Sequence, residues 1–305
     1  MESHDATCGK HCYSPPADAV CGTGGPVSDV VVVTGIGGMG TACARRLGAG
    51  RTVVVADVDD AKLAAEAAAL ELDGFAVVPV PVDVSDRLSV GRLAEAAAER
   101  GALRTVVHTA GLSPAQATPE RLLTVDVLGT EYVLDAFLEL ATPGSVAVCV
   151  ASMAGYLTSI DADVERELAS GDADAVAELL GRTADLGHGD AYAFAKRVNQ
   201  LRVEHYATTW GARGGRVVSI SPGIIATPMG RQELAGAPDA IGATLALSPV
   251  PRIGTPEDIA NAVAWLASPE ASFVSGCDLR VDGGVIAAVR RLTAGANPLV
   301  SRERT

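Results

Sequence analysis

The sequence predicts a single α/β domain built on a doubly wound, seven-stranded parallel sheet with helices on both faces. Valine-rich runs alternate with alanine- and leucine-rich segments of helical length, which is the arrangement that parallel strands with helical crossovers require. The valine runs are nearly continuous, as is typical of strands buried on both faces. Hydrophobic residues make up 48 % of the 305 residues and charged residues 20 %, enough to bury one large core.

Seven strands are predicted from short runs of β-branched residues that end at a glycine or a polar residue. The most regular runs are DVVVVTG and TVVVAD, near the start of the domain. The predicted strands span residues 29–35, 52–57, 75–83, 103–111, 144–152, 215–223 and 276–284.

Helices are predicted between these strands wherever apolar residues recur at a spacing of three or four. Glycines close several of them, and Thr255 followed by Pro256 marks a helix start, because threonine caps a helix and proline suits its first turn. The predicted helices span residues 39–50, 59–74, 86–101, 119–140, 191–210 and 255–269.

Composition excludes several classes of partner. The net charge of −13 disfavours nucleic acid, since an acidic surface repels a phosphate backbone. No apolar run reaches the roughly 20 residues that cross a bilayer, and the N-terminus lacks the basic and apolar segments of a secretory signal. We therefore expect a cytoplasmic protein with no membrane partner. The domain is assigned to residues 28–290, between a head over 1–27 that we expect to be disordered and a tail over 291–305.

The six cysteines fall into two groups. Cys43, Cys149 and Cys277 lie in apolar stretches and are predicted to be buried. The others lie in the head, where neighbouring histidines could help to hold a metal, but their spacing is not a zinc pattern. No metal site is predicted. The head cysteines and histidines are Cys8, Cys12, Cys21, His4 and His11.

A glycine-rich stretch, VTGIGGMGTA, lies between the first strand and the first helix. Backbone N–H groups at a helix N-terminus bind a pyrophosphate when no side chain intervenes, and Gly35, Gly38 and Gly40 are the candidates for that turn. Glycine also suits any tight turn, but the position directly after the first strand favours a nucleotide site.

Two aspartates follow strands of the same half. Asp57 ends the second strand, where its carboxylate can accept both hydroxyls of an adenosine ribose and would repel a 2′-phosphate. No arginine or lysine lies in the glycine loop or immediately after Asp57, so NAD is expected and NADP is less favoured. A helix cap or a turn residue is the alternative role of Asp57. Asp83, which ends the third strand, is either an acceptor for the adenine amine or the N-cap of the next helix.

In order and content, these motifs resemble the short-chain dehydrogenase/reductase family, in its compact single-domain branch. The resemblance runs from about residue 29 to 287. It rests on TGIGGMG, VDV, HTAG, SPGIIATPM, RIGTPEDIA and VDGG, with Asp57, Ser152 and the Tyr192–Lys196 pair between them. It implies a Rossmann-like fold. It also implies that NAD is held by Gly35, Ile36, Gly38, Met39, Gly40, Asp57, Asp83, Val84, Ala110, Gly111, Tyr192, Lys196, Pro222, Gly223, Ile225 and Thr227.

Tyr192 and Lys196 lie four residues apart and therefore share one helix face. A phenol has a pKa near 10, and a nearby ammonium is expected to lower the pKa of Tyr192 and make it a usable general acid or base. The resemblance implies that Lys196 also holds the nicotinamide ribose and that Ser152 donates to the substrate oxygen. Tyr156 is the only rival nearby, but Ile160 stands where its lysine would be.

Three departures from the family pattern concern the same site. The glycine loop is one residue shorter than usual, and HTAG replaces NNAG, a mainly structural motif. Asp126 occupies the place of the catalytic asparagine. It can still accept the hydrogen bonds of that asparagine, and its charge favours a protonated Lys196; helix packing is its alternative role.

Ser152 and Tyr192 are 40 positions apart because an acidic insertion, residues 156–190, separates them. Its apolar residues recur at helical spacing: Val164, Leu168, Val176, Leu179 and Leu180. We predict two short amphipathic helices that form a lid over the active-site mouth, as in the branch that includes bacterial 3α-hydroxysteroid dehydrogenase/carbonyl reductase. An oligomer contact is an equal alternative. Residues 228–250 are predicted to form the second wall.

The resemblance implies an NAD-dependent oxidoreductase that interconverts a secondary alcohol and a ketone. The expected substrate is a bulky, mostly apolar small molecule, steroid-like or a secondary metabolite, and the expected assembly is a homodimer or homotetramer. Two other functions stay open: a module that senses NAD(H) without turnover, and a scaffold that works through the acidic insertion.

Overall fold

The computed structural model describes residues 29–170, 173–181 and 187–295, and its centre is the predicted seven-stranded parallel sheet. The head over 1–27 and the last ten residues of the tail lie outside the described residues. The strand order is β3-β2-β1-β4-β5-β6-β7, and every neighbouring pair is parallel. The strands are β1 (Asp29–Thr34), β2 (Thr52–Asp57), β3 (Ala76–Pro81), β4 (Ala102–His108), β5 (Val146–Val150), β6 (Arg216–Pro222) and β7 (Asp278–Val281).

Helices occupy every predicted helical segment in the described ranges. They are α1 (Gly38–Leu47), α2 (Asp60–Leu72), α3 (Arg87–Ala98), α4 (Pro119–Leu123), α5 (Gly129–Leu138), α6 (Ala162–Ser170), α7 (Ala173–Gly181), α8 (His188–Ala212), α9 (Pro228–Gly236), α10 (Pro238–Leu247), α11 (Pro256–Leu266) and α12 (Val285–Gly295).

The sheet is covered on both faces, so the doubly wound fold is confirmed. Val30 and Val32 of β1 point to one face and pack with residues of α3, α5 and α8. Val31 and Val33 point to the other face and pack with residues of α1, α2 and α11. All four valines are buried, and burying each side chain stabilises the fold by about 1.5 to 3 kcal/mol. This two-sided burial explains why the runs are apolar without alternation.

Helix capping decides between the alternatives for two aspartates. Asp59 accepts the N–H of Lys62 at the start of α2, and Asp86 accepts the N–H of Leu88 at the start of α3. The helix-cap alternatives for Asp57 and Asp83 are therefore wrong. Thr255 forms the predicted cap of α11, with a capping box completed by Asp258.

The long helix predicted over 119–140 contains an irregularity. Residues Thr124–Leu128, between α4 and α5, form a turn of π-helix, and the helical path then continues to Leu138. Such turns occur mostly as single bulges and often at functional sites. Asp126 lies within this turn and is fully buried.

The insertion contains the two predicted helices, α6 and α7. Their buried residues Leu168, Val176 and Leu180 pack with Leu123 before the π turn and with Phe194 of α8. Arg202 of α8 anchors α6, since its guanidinium donates to the backbone oxygen of Leu168 at 2.6 Å. The described part of the insertion is therefore attached to α8 and to the chain around the π turn.

The cysteine prediction is confirmed at two positions and wrong at one. Cys43 and Cys149 are buried, whereas Cys277 is exposed. Cys277 precedes β7, the edge strand of the sheet, where no further strand covers it. No helix in the described ranges is long and apolar enough to cross a membrane.

Candidate active site

Glycines shape the turn between β1 and α1. Gly35 has a φ of +80°, and a Cβ there would lie 2.5 Å from the backbone nitrogen of Ala110. A Cβ on Gly40 would lie 2.4 Å from the backbone oxygen of Gly35. The N-cap of α1, Gly37, supplies no side-chain cap, so backbone N–H groups at the start of α1 are left for a ligand. An anion such as a pyrophosphate fits this turn.

A cavity of about 480 Å³ opens above this turn. It lies at the carboxyl ends of β1 and β4, where the strand order reverses and a ligand is expected. The structure brings most predicted cofactor residues to its wall: Gly35, Gly38, Met39, Gly40, Asp57, Asp83, Val84, Ala110, Gly111 and Thr227.

Six predicted cofactor residues do not line this cavity; two of them, Tyr192 and Lys196, are described below with the catalytic group, and the other four lie elsewhere. Ile36 and Pro222 are buried in the protein. Gly223 and Ile225 line a second cavity, of about 150 Å³, beyond the end of β6. The direct cofactor contacts expected of these four residues are not supported by the geometry of the larger cavity.

Asp57 and Asp83 both have partners that the sequence did not reveal. Lys62 donates to the Asp57 carboxylate at 2.7 Å, and Asp59 N–H donates to its other oxygen at 3.1 Å. Asp83 accepts from Ser85 and pairs with Arg121 at 3.2 Å. The Ser85 and Arg121 contacts hold the pKa of Asp83 below its usual value against a raising effect of burial.

The four predicted catalytic residues lie together beside the cavity. Lys196 Nζ is 5.4 Å from the centre of the Tyr192 ring and 3.1 Å from Asp126 Oδ2. The Tyr192 hydroxyl is hydrogen-bonded to Ser152. A Cβ on Gly111 would lie 3.1 Å from Lys196 Nζ, so the wall of the cavity touches the lysine directly.

The electrostatic balance at Tyr192 differs from the expectation. Burial raises the pKa of Tyr192, and the charges of Asp126 and Glu233 raise it further. Lys196 and the Ser152 hydrogen bond lower this pKa, as predicted, but by less, so the net pKa is raised. The prediction of a lowered pKa for Tyr192 is therefore wrong, because it left out desolvation and the nearby carboxylates.

Asp126 and Lys196 form a buried ion pair. Burial acts to lower the pKa of Lys196, but the charges of Asp126 and Tyr192 raise it overall, as predicted for a lysine held protonated. Burial raises the pKa of Asp126 despite Lys196 and a 2.7 Å hydrogen bond from Leu112 N–H. The pair thus keeps a positive charge beside the phenol.

Glu233 is a site residue that the sequence did not single out. It lies on α9, in the predicted second wall, and its charge acts on both Tyr192 and Lys196. Burial raises its own pKa. The adjacent Gln232 accepts a long hydrogen bond, 3.5 Å, from Gln116 across the mouth of the site. Only its membership of segment 228–250 could have pointed to Glu233.

His108 of the HTAG motif is structural, as predicted. It is buried and hydrogen-bonded to Thr34 at 2.7 Å and to Thr130 at 3.2 Å. Burial and Lys196 lower the pKa of His108 to about 3, so it is neutral at physiological pH. It joins β1, β4 and α5 beneath the site.

The cavity fits a nicotinamide dinucleotide. Its wall combines a side-chain-free helix N-terminus, a carboxylate at the end of β2 and the contact with Lys196, which suit a pyrophosphate, a ribose and a second ribose respectively. Within the described ranges, no group of three or more His, Cys, Asp or Glu is placed to hold a metal ion.

Comparison with known proteins gives the family. A model described as short chain dehydrogenase matches residues 29–162, and one described as Enoyl-(Acyl carrier protein) reductase matches residues 176–286. A short-chain dehydrogenase/reductase of Alternaria brassicicola is 35 % identical over 268 residues, covering 87 % of this chain and 98 % of its own. The chain therefore belongs to the short-chain dehydrogenase/reductase family.

Two further relatives and a solved structure agree. The 3beta-hydroxysteroid dehydrogenase 1 of Eggerthella lenta is 33 % identical, over 84 % of this chain and 92 % of its own. The 3-alpha-hydroxysteroid dehydrogenase/carbonyl reductase of Comamonas testosteroni is 28 % identical, over 86 % and 98 %. A short-chain type dehydrogenase/reductase of Mycobacterium ulcerans superposes with a TM-score of 0.69 at 27 % identity, over 85 % of this chain and 90 % of that chain. The protein is an oxidoreductase of hydroxyl or carbonyl groups that uses a nicotinamide cofactor.

Proposed function

We propose that this protein is an NAD-dependent oxidoreductase that interconverts a secondary alcohol and a ketone on a bulky, mostly apolar substrate. The observation that carries the proposal is the grouping of Ser152, Tyr192 and Lys196 at the edge of the cavity. Two relatives are named for hydroxysteroids, and Leu112, Val125 and Met229 give the cavity apolar walls.

The proton transfers fall to Tyr192. The raised pKa keeps its phenol protonated, ready to donate to a carbonyl oxygen in the reductive direction. Lys196 stabilises the phenolate that results. Ser152 accepts the N–H of Ala154 at 3.1 Å and donates its own O–H to Tyr192. When substrate binds between them, we assign this O–H to the substrate oxygen. The bound nicotinamide supplies or receives the hydride.

We keep an NAD(H)-sensing module as the second candidate. The buried Asp126 raises the Tyr192 pKa, and a Xanthobacter autotrophicus relative, 34 % identical, is named an inactive 2-(S)-hydroxypropyl-CoM dehydrogenase. The role of α6 and α7 as a lid also stays a proposal. None of their described residues lines the larger cavity.

A panel of secondary alcohols and ketones separates the candidates. Turnover is followed by NADH absorbance, with NADPH as the control, and steroid-like substrates are included beside small ones. An enzyme should turn over at least one bulky member with NADH. Stoichiometric NAD binding with no turnover anywhere on the panel would favour the sensing module.

A further inference from the structure

A buried amide side chain follows the Tyr192–Lys196 pair at the same helical spacing. Gln200 lies four positions after Lys196 on α8 and therefore shares the helix face of both catalytic residues. Its side chain is buried, and a buried amide costs free energy unless its polar atoms are hydrogen-bonded. Gln200 is not among the described residues that line the cavity of about 480 Å³, so its partners lie within the protein.

The hydrogen bonds of Gln200 engage both ends of its amide. Nε2 donates to the backbone oxygen of Ser152 at 3.1 Å and to the Ser221 hydroxyl oxygen at 3.0 Å. Oε1 accepts Arg197 Nη1 at a long 3.4 Å. Because a backbone carbonyl can only accept, the NH2 end of the amide is the end that faces Ser152. The contacts therefore fix the amide in one orientation.

Ser152 needs such a contact because it lies beyond the end of β5. The strand ends at Val150, and Ser152 is the N-cap of a turn of 3₁₀-helix over Met153–Tyr156. Within that turn, the backbone oxygen of Ser152 accepts Gly155 N–H at 3.1 Å. The bond from Gln200 ties the same oxygen to α8, the helix that carries the catalytic tyrosine and lysine.

The same network holds the other end of this turn. The Ser221 hydroxyl donates to Asp278 Oδ1 at 3.0 Å, and the Tyr156 hydroxyl donates to Asp278 Oδ2 at 2.7 Å. Gly155 leaves room for the amide, since a Cβ there would lie 2.7 Å from Gln200 Nε2. The turn is thus held between α8 on one side and β7 on the other.

We propose that Gln200 is a positioning residue, which holds the backbone of Ser152 so that the serine hydroxyl meets the Tyr192 phenol and the substrate oxygen. This deepens the proposed function and rests on it, since it assumes that the Ser152 hydroxyl acts on a substrate. Displacing such a group by about 1 Å slows a reaction by about 10²-fold. Loss of the Gln200 amide should therefore be felt in the chemical step.

The test is a double-mutant cycle between Gln200→Met and Ser152→Ala, measured as kcat on a substrate from the alcohol and ketone panel. Methionine keeps the length of the side chain and removes both donors; Gln200→Leu replaces it if that variant does not fold. Ser152→Ala removes the hydroxyl and keeps the backbone oxygen. Asn199→Met is the matched control, because Asn199 is also an amide buried on α8 and its Oδ1 has no hydrogen-bond partner in the described ranges.

Gln200→Met should lower kcat by about 10- to 100-fold, while the NAD dissociation constant stays within about threefold of wild type. Ser152→Ala should lower kcat by about 10²- to 10³-fold, the usual cost of a lost donor to the substrate oxygen. In the Ser152→Ala background, Gln200→Met should change kcat by less than about twofold, since no hydroxyl is left to position. Asn199→Met should keep the wild-type kcat.

Two kinetic results would overturn the proposal. A wild-type kcat in Gln200→Met would show that Ser152 keeps its position without the amide. An additive loss in the double variant would show that Gln200 affects kcat by a route other than the Ser152 hydroxyl. Both results would leave the proposed oxidoreductase standing.

A second measurement needs no turnover. The carbon NMR signal of Tyr192 Cζ, assigned by its loss in Tyr192→Phe, reports the hydrogen bond between this phenol and Ser152. Gln200→Met should move the signal toward its position in Ser152→Ala, and Asn199→Met should leave it in place. An unmoved signal in Gln200→Met would refute the positioning role. A moved signal in a protein with no turnover anywhere on the panel would refute the proposed function alone.

Discussion

The Asp126→Asn variant measures how strongly a buried carboxylate controls the catalytic phenol. Asparagine keeps the shape of the side chain and an oxygen to accept the Leu112 N–H, which lies 2.7 Å from Asp126 Oδ1. It removes the negative charge that lies 3.1 Å from Lys196 Nζ. The pKa of Tyr192 should therefore fall, because Asp126 is one of the charges that raise it.

The magnitude follows from two distances. Lys196 Nζ lies 3.1 Å from Asp126 Oδ2 and 5.4 Å from the centre of the Tyr192 ring. The carboxylate is thus within about 8.5 Å of the ring, where a unit charge is worth about 2 kcal/mol at an effective dielectric constant of about 20. Since one pKa unit is about 1.4 kcal/mol, the Tyr192 pKa should fall by about one unit.

The assay is kcat/KM for alcohol oxidation against pH, in which the limb that rises with pH reports deprotonation of the free enzyme's catalytic base. Asp126→Asn should move this limb down by about one unit and raise the rate about tenfold on its acid side. Asp73→Asn is the control, because it removes an equal charge from an exposed pair with Arg45. An unmoved limb would refute the reasoning: either the Asp126 carboxyl already carries a proton or Tyr192 is not the titrating group.

Three further variants test the glycine turn, the buried histidine and the anchor of the insertion. Gly40→Ala should abolish calorimetric cofactor binding because its Cβ would lie 2.4 Å from a backbone oxygen, whereas Gly91→Ala, with open space around it, should bind normally and gain up to about 1 kcal/mol in thermal unfolding. His108→Asn should reduce acid sensitivity in urea unfolding. The pKa of His108 is about 3 in the folded state and about 6.5 in the unfolded state. This histidine therefore leaves the free energy of unfolding unchanged above about pH 6.5 and lowers it by about 2 to 3 kcal/mol by about pH 4.5. Arg202→Met should lower the free energy of urea unfolding by about 3 to 5 kcal/mol, since Glu131, 2.7 Å away, then stays buried with the Tyr206 hydroxyl but without its counter-charge; adding Glu131→Gln should recover part of the loss.

Each of these has a clear contrary result. Cofactor binding by Gly40→Ala would show that the turn does not cradle the pyrophosphate. Equal acid sensitivity with and without His108 would show that its protonation is not coupled to unfolding. A fully additive loss in the Arg202 and Glu131 double variant would show that the two side chains do not act as a pair.

The sequence predicts the sheet well because the signals for it are local. The four consecutive valines from Val30 to Val33 are enough to indicate a strand that is buried on both faces. Two residues, Thr255 and Pro256, are enough to mark the start of a helix. The π turn around Asp126 leaves no such signal, since one extra residue per turn hardly changes the apolar spacing. The burial predicted for Cys277 is wrong because burial next to β7 depends on which strand lies at the sheet edge.

Within the site, the types of the catalytic residues were predictable from the sequence, but the net electrostatic effect on the pKa of Tyr192 was not. Tyr192 and Lys196 are on one helix, so their spacing alone places them together. Asp126 and Glu233 act on the same phenol although they are 107 positions apart in the sequence. Both raise the pKa of Tyr192, against the effect of Lys196, and only the folded structure shows that they lie near it. The pair of Lys62 and Asp57 was likewise not predicted. The two residues are five positions apart, and only the turn from β2 into α2 brings the Lys62 ammonium to the Asp57 carboxylate.

The most direct measurement compares cofactor binding with turnover in Tyr192→Phe, with Tyr132→Phe as the control. Tyr132 lies on α5 with Arg87 over its ring, and its hydroxyl has no assigned role in the chemistry. We expect Tyr192→Phe to bind NAD with a dissociation constant within about threefold of wild type, while kcat falls about 10²- to 10⁴-fold, the usual contribution of a general acid or base. Wild-type turnover in Tyr192→Phe would contradict the assignment of proton transfer to this phenol.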